Sequence, residues 1–100
     1  MKETRIDING IDYFIRQNNN DGPLVLMIHG WPDDSTMWRH QAEALTKAGY
    51  KVVAPDIPGF GLSGKPADVE RYKVERLAED MFGILDHYGV DKAHVVAHDY

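Results

Sequence analysis

Apolar and polar residues alternate along the first part of the chain, on both sides of Asn9-Gly10. The apolar members of this pattern are Ile6, Ile8, Ile11, Tyr13 and Ile15. A period of two indicates β-strands, and Asn-Gly provides both positive-φ positions of a type I′ turn. The pattern therefore predicts a β-hairpin, followed by a polar loop over residues 17–23 that contains Gly and Pro as breakers.

Three short apolar runs replace this alternation after the loop: LVLMI at 24–28, KVVAP at 51–55 and HVVAH at 94–98. Continuous apolar runs of this length are typical of strands that are covered by helices on both faces. We therefore predict three inner strands.

Two helices are predicted between these strands. The first has N-cap acceptors at Asp33, Asp34 and Ser35 and ends before Gly49, and the second ends at Gly89. The second helix carries an apolar stripe formed by Val74, Leu77, Met81, Ile84, Leu85 and Tyr88. The fold class is therefore α/β, with a β-hairpin followed by β-α-β-α-β and a mostly parallel sheet flanked by helices.

Composition narrows the class of protein. A hydrophobic fraction of 43% and a charged fraction of 27% are those of a soluble globular protein. The net charge of −5 gives no basic surface for nucleic acid or an anionic membrane, and the absence of cysteine excludes thiolate chemistry. The N-terminal residues carry no apolar signal core, so we expect a cytoplasmic protein.

The carboxyl ends of the three predicted parallel strands meet at one edge of the sheet, where open α/β sheets bind ligands. The segments that emerge there are HGWP at 29–32, DIPGFGLSG at 56–64 and HDY at 98–100. Within the second segment, Gly59, Gly61 and Gly64 match the pattern GxGxxG, and Gly59 to Lys65 match GxxxxGK. A dinucleotide loop must open directly into a helix, which Lys65-Pro66 interrupts, and the second pattern needs Ser or Thr at the position of Pro66. We therefore predict a glycine-rich turn beside a cleft.

The end of the third strand has the order expected of a nucleophile elbow. Ala97-His98-Asp99-Tyr100 places a small residue two positions before an acid, at the point where a strand runs out. Taken alone, such an acid is more often a helix N-cap or a turn residue.

Three segments together resemble the α/β-hydrolase fold, in its branch with an aspartate nucleophile, the epoxide hydrolases and haloalkane dehalogenases. HGWP is similar to the HGxP motif of that branch, GFGLS to its glycine-rich motif, and VVAHDY to its elbow. The resemblance implies that Asp99 is the nucleophile, that the backbone N–H groups of Trp31 and Tyr100 form the oxyanion hole, and that His29, Gly30 and Pro32 support the loop.

Asp99 suits attack on a saturated carbon. A carboxylate with an ordinary pKa near 3.9 is ionised at pH 7, and its alkyl ester is hydrolysed through a tetrahedral oxyanion. The aromatic residue after His-Gly favours an epoxide, opened to a diol, over the alternative of a haloalkane or haloacetate dehalogenase. A non-catalytic binding protein of the same fold and a small self-contained α/β interaction module also stay open.

The resemblance also sets expectations beyond these 100 residues. The catalytic His and its acid partner follow the nucleophile in chain order, and the ring-opening acids belong to a cap domain. Residues 1–100 are therefore expected to be the N-terminal part of a single core domain that does not turn over alone. We expect a small apolar epoxide or halogenated substrate, no cofactor or metal, no nucleic-acid or membrane partner, and leave a homodimer open.

Other conspicuous residues are interpreted as structural. Asp56 follows a strand and is predicted to be a turn acceptor. Trp38 and Met81 have helical core spacing. His98 neighbours Asp99 along the backbone and is expected to point away from it, so no chemical role is assigned to it.

Overall fold

The computed structural model of the protein describes residues 1–30 and 33–98. Within these ranges the strands form one mixed sheet in the order β1-β2-β4-β3-β5. The strands are β1 Lys2–Ile8, β2 Ile11–Gln17, β3 Leu24–Ile28, β4 Lys51–Pro55 and β5 His94–Ala97. The α-helices are α1 Arg39–Lys47 and α2 Val74–His87, and each is preceded by a short 3₁₀ helix, at Ser35–Trp38 and Val69–Tyr72.

The predicted hairpin is confirmed. β1 and β2 pair antiparallel up to Ile8 opposite Ile11. Asn9 and Gly10 adopt φ angles of 51° and 87°, as a type I′ turn requires. The hairpin joins the rest of the sheet through antiparallel pairing of β2 with β4.

The three apolar runs form parallel strands, as predicted. β3 is central and pairs in parallel with β4 on one side and β5 on the other. β5 is the outer strand of the described sheet, so Val95 and Val96 are 58% and 38% exposed and the strand is not covered on both faces. Thus β3 and β4 are inner strands, as predicted, whereas β5 lies at the edge of the described sheet.

Apolar side chains form a separate cluster on each face of the sheet. On the α1 face, Trp38 and Ala42 pack on strand residues that include Met27 and Val52. On the α2 face, Ile84 packs against the hairpin and the neighbouring strands. The buried members there are Ile8, Ile11, Tyr13, Ile15, Leu24, Leu26, Val53 and Ile84. The core role predicted for Trp38 is confirmed, and Met81 packs partly buried against the second cluster.

The helix boundaries differ from the predicted ones at their starts. The first helix begins as a 3₁₀ turn capped by Asp34, whose carboxylate accepts the Thr36 N–H at 2.9 Å. A hydrogen bond from the Thr36 hydroxyl is the main reason that the pKa of Asp34 lies below its ordinary value. Val74 was predicted to lie in the packed stripe but is 77% exposed, because it is the first residue of α2.

A buried polar cluster fixes α2 to the hairpin. The Asp80 carboxylate, which is 0% exposed, accepts the Tyr13 hydroxyl at 2.7 Å, Arg71 Nη2 at 2.7 Å and Asn9 Nδ2 at 3.0 Å. Burial, followed by the hydrogen bond to Asp80, raises the pKa of Tyr13 far above its ordinary value, and the same carboxylate raises the pKa of Arg71. Sequence analysis missed this cluster, because Asn9 and Tyr13 lie in a different part of the chain from Arg71 and Asp80, with 67 positions between Tyr13 and Asp80.

Neither of the two α-helices in the described ranges is long and apolar enough to cross a membrane.

Candidate active site

The candidate site lies at the carboxyl ends of β3, β4 and β5, where sequence analysis predicted it. Of the predicted site residues, His29 and Gly30 follow β3 directly and are described. Trp31, Pro32, Asp99 and Tyr100 lie outside the described residues. Their assigned roles therefore stay predictions.

The strand ends that lead into these segments are paired. Ile28, the last residue of β3, is in register with Ala97, the last residue of β5. The His98 N–H donates to the Ile28 carbonyl at 3.1 Å, which extends the pairing by one bond. The chain thus leaves two neighbouring parallel strands at the same level, one strand leading towards residue 31 and the other towards residue 99.

His29 is buried and its ring bridges two of the strand ends. Its Nε2 accepts the backbone N–H of Ile57 at 2.9 Å, so this nitrogen carries no proton. The neutral ring then carries its proton on Nδ1, which donates to the Gly30 carbonyl at 2.9 Å. That carbonyl also accepts the Asp33 N–H at 2.9 Å, and the ring packs in a T-shaped arrangement with the ring of Phe60. The predicted supporting role of His29 and Gly30 fits this arrangement.

Asp56, the first residue after β4, lies at the centre of the loops and is only 1% exposed. Its Oδ1 accepts the Ser35 N–H at 2.7 Å, and its Oδ2 accepts the Leu62 N–H at 2.9 Å. One carboxylate therefore joins the segment that follows β3 to the glycine-rich segment that follows β4. The prediction of a turn acceptor was right in kind, but sequence analysis missed the contact with Ser35, 21 positions away.

The glycine-rich segment is a folded turn around Asp56. Gly61 has a φ of 54°, and a Cβ there would lie 2.2 Å from Asp56 Oδ2, so both backbone conformation and space require glycine. Ser63 Oγ donates to the Asp56 carbonyl at 2.6 Å and accepts the Phe14 N–H at 2.8 Å. The next helical turn begins only at Val69, so no helix N-terminus adjoins the glycines. The turn lacks the geometry of a phosphate loop.

An apolar groove of about 470 Å³ lies between α2 and the β3–β5 side of the sheet. Apolar side chains from both elements line it, among them Met81, Phe82 and Val95, and His29 is the one polar residue among its described walls. Phe82 is 68% exposed, so the groove is open in the described part of the chain. The described walls of this groove offer apolar packing and contain no carboxylate.

Metal ligands are not gathered in the described ranges, where no three His, Asp or Glu side chains come close enough to hold an ion. His98 is exposed, and its backbone N–H donates to the Ile28 carbonyl. What the described residues provide is a rigid frame of backbone and carboxylate hydrogen bonds, built to present loops from neighbouring strands.

Comparison with known proteins agrees with this frame. Residues 23–100 match the sequence model of the α/β-hydrolase fold family. Epoxide hydrolase A of Mycobacterium tuberculosis is 40% identical over 99 residues, which cover 98% of this chain and 31% of that protein. The chain therefore spans about a third of the length of this relative.

Solved structures give the same result. A crystal structure of epoxide hydrolase A from Mycobacterium thermoresistibile superposes with a TM-score of 0.93 at 40% identity, over 98% of this chain and 31% of the other. A mutant of an epoxide hydrolase from Bacillus megaterium, solved with a naphthyloxy-propanediol product, gives a TM-score of 0.90 at 33% identity, over 96% and 33% of the two chains. Strand order, loop frame and family match converge, and the chain belongs to the α/β-hydrolase fold family.

Proposed function

We propose that this chain supplies the nucleophile and part of the oxyanion hole of an epoxide hydrolase. The paired ends of β3 and β5 carry this proposal, because the neighbouring strands that precede residues 31 and 99 in the sequence end at the same level. In the proposal, β3 leads to the backbone N–H of Trp31 and β5 leads to the carboxylate of Asp99. Hydrolysis of an ester on Asp99 needs both, because the N–H stabilises the oxyanion that forms at the ester carbonyl.

The first half-reaction forms an ester. A carboxylate oxygen of Asp99 attacks one carbon of the epoxide ring, the bond from that carbon to the ring oxygen breaks, and the ring oxygen takes a proton from an acid. The electron pair of the broken bond stays on the ring oxygen, so the negative charge leaves Asp99 in this step. No further charge develops on the Asp99 carbonyl oxygen.

The second half-reaction hydrolyses the ester. Water adds to the carbonyl carbon of the Asp99 ester and loses a proton to a base, and negative charge develops on the carbonyl oxygen. The N–H groups of Trp31 and Tyr100 are proposed to stabilise this oxyanion. Collapse breaks the bond from the acyl carbon to the alkyl oxygen, the leaving oxygen takes the remaining proton of the added water, and a diol and the Asp99 carboxylate result. The acid and the base are not assigned to residues of this chain.

Relatives favour an epoxide over a halide as substrate. The proteins compared above carry the name epoxide hydrolase, and the one from Bacillus megaterium was solved with a diol as its product. A haloalkane or haloacetate dehalogenase stays the second candidate, since it shares the ester intermediate and the aspartate nucleophile. The two candidates differ in the leaving group that the cleft must accept.

Turnover by the natural full-length protein tests this proposal, with styrene oxide and 1-chlorobutane as separate substrates. Wild-type protein is expected to form a diol, and Asp99→Asn to lower its rate by about 10⁶-fold, the effect of removing a covalent nucleophile. Asp91→Asn, an exposed acid after α2, is the matched control and should retain the wild-type rate. Halide release without diol formation would favour the dehalogenase, and turnover that survives Asp99→Ala would overturn the mechanism.

A further inference from the structure

Asp56 is a buried carboxylate whose hydrogen-bond donors among residues 1–30 and 33–98 are backbone N–H groups. It is 1% exposed, and the ion pairs found among residues 1–30 and 33–98 do not include it. Burying a carboxylate is costly unless strong hydrogen bonds replace its hydration. The two hydrogen bonds that replace the hydration of Asp56 come from two separate loops. The carboxylate therefore also fixes the position of these two loops relative to each other.

Asp56 and its neighbour hold both described ends of one segment. The Ile57 N–H binds the imidazole of His29, where the segment begins, at 2.9 Å. The Asp56 carboxylate binds the N–H of Ser35, where the segment ends, at 2.7 Å. Because Asp56 and Ile57 are consecutive at the end of β4, His29 and Ser35 are both tied to a single point of the sheet.

We propose that Asp56 is a positioning residue for the oxyanion hole, which acts by fixing the segment that carries Trp31. This inference rests on the proposed function, in which the Trp31 N–H is an oxyanion donor. Asp56 touches neither substrate nor reacting atoms in this account. It sets the placement of residues 29–35 against the end of β3, and a misplaced donor loses most of its effect on a developing charge.

The two half-reactions separate this role from a purely structural one. Charge leaves Asp99 while the ester forms and builds up on its carbonyl oxygen while the ester is hydrolysed. A misplaced oxyanion donor therefore slows the second step far more than the first. General loosening of the fold lowers the amount of active enzyme and reduces both steps together, without changing their ratio.

Rapid-quench mass spectrometry of the full-length protein with styrene oxide measures both steps. In Asp56→Asn one side-chain oxygen becomes an NH₂ group that faces a backbone N–H, so one of the two loops loses its acceptor. We expect ester formation on the Asp99 peptide to change by less than about 3-fold and ester hydrolysis to slow by about 10²-fold, so that the ester accumulates. Asp80→Asn is the control, because it weakens another buried carboxylate that lies outside the loops.

A second variant tests the same contact from its donor side. Ser35 is the first residue of a 3₁₀ helix, and Asp34 before it is extended, with φ −149° and ψ −176°, so the backbone at position 35 accepts proline. Ser35→Pro replaces the N–H that binds Asp56 by a ring carbon, which breaks this contact and displaces the carboxylate, and it also removes the hydroxyl that accepts Arg16 Nε. Ser35→Ala removes the hydroxyl alone. Ester accumulation in Ser35→Pro beyond that in Ser35→Ala therefore reports the broken contact between Ser35 and Asp56, and it tests the inference where Asp56→Asn fails to fold.

The outcomes separate this inference from the function on which it rests. Ester that accumulates in Asp56→Asn or Ser35→Pro but not in Asp80→Asn supports a positioning role. Equal slowing of both steps, or no change in their ratio, would overturn that role while leaving Asp99 as the nucleophile. Diol formation without any ester on Asp99 in the wild-type protein would overturn the proposed function first, and the positioning role with it.

Discussion

Asp56 and Asp80 are both fully buried acids, yet their surroundings differ in kind. Asp80 is held by three side chains, from the hairpin and the turn before α2, including the guanidinium of Arg71. Asp56 is held by two backbone N–H groups and by no cation of the described residues. The side-chain partners of Asp80 join two elements of secondary structure, whereas the backbone partners of Asp56 determine the path of the loops. Of the two acids, Asp56 is the one that lies at the carboxyl ends of the strands, next to the candidate site.

This difference predicts which measurement each acid affects. Loss of Asp80 should change stability because it leaves a buried cation unpaired, and should leave the chemistry of correctly folded molecules unchanged. Loss of Asp56 should change the ratio of the two half-reactions. The following changes break the two carboxylate clusters in turn.

Asp80→Ala should give the largest loss of stability. It removes the anion beside Arg71, whose side chain is only 10% exposed, and an unpaired buried charge costs about 3–5 kcal/mol in free energy of unfolding. Urea unfolding of the full-length protein measures this loss. Asp86→Ala, an exposed position on the same helix, is the control and should stay within about 0.5 kcal/mol of wild type. A loss below about 1 kcal/mol for Asp80→Ala would show that the cluster does not hold α2.

Gly61→Ala tests how closely the glycine-rich turn surrounds Asp56. The new Cβ would meet Asp56 Oδ2 at 2.2 Å in addition to the strain of a φ of 54°. Gly89→Ala is the matched control, because its φ of 71° imposes similar strain while nothing lies within 4 Å. We expect Gly61→Ala to lower the free energy of unfolding by about 1–3 kcal/mol more than Gly89→Ala. Equal losses would mean that only the backbone conformation matters and that the carboxylate moves freely.

Tyr13→Phe should give a smaller loss and a change in alkaline stability. It removes one hydrogen bond to Asp80 and leaves two, so we expect about 1.5 kcal/mol. Burial raises the pKa of Tyr13 in the folded state, so its contribution is full below the ordinary value near 10 and is lost as the pH rises towards the folded-state pKa. The free energy of unfolding, measured from pH 8 to 11, should decline less in Tyr13→Phe than in wild type. Parallel curves would contradict the assignment of that decline to Tyr13.

Local patterns predicted most of the fold. The hairpin followed from Asn9-Gly10, because both positions need positive φ, and the three apolar runs predicted β3, β4 and β5 with bounds within one residue. The 3₁₀ starts of the helices were missed, since Asp34 caps a 3₁₀ turn as well as an α-helix. The exposure of Val74 and Val95 was also missed, because an apolar residue type does not show whether another surface packs against the side chain.

The candidate site was only partly predictable. Sequence motifs indicated the segments after the strands, and with them His29 and Gly30, because those segments follow apolar runs directly. The role of Asp56 was not predictable in full, since its contact with Ser35 depends on the parallel order of β3 and β4. The buried Asp80 cluster gave no sequence signal at all: an acid inside an amphipathic helix usually faces solvent.

The most direct test of the central claim, covalent catalysis by Asp99, is a single turnover in water enriched in oxygen-18, with full-length enzyme in excess over styrene oxide. If an ester forms and is hydrolysed at its acyl carbon, the oxygen added to the substrate comes from Asp99 and the oxygen of water enters the carboxylate. We predict an unlabelled diol and one labelled oxygen in the peptide that contains Asp99. A labelled diol with an unlabelled peptide would mean that water attacks the epoxide directly, and would contradict the account.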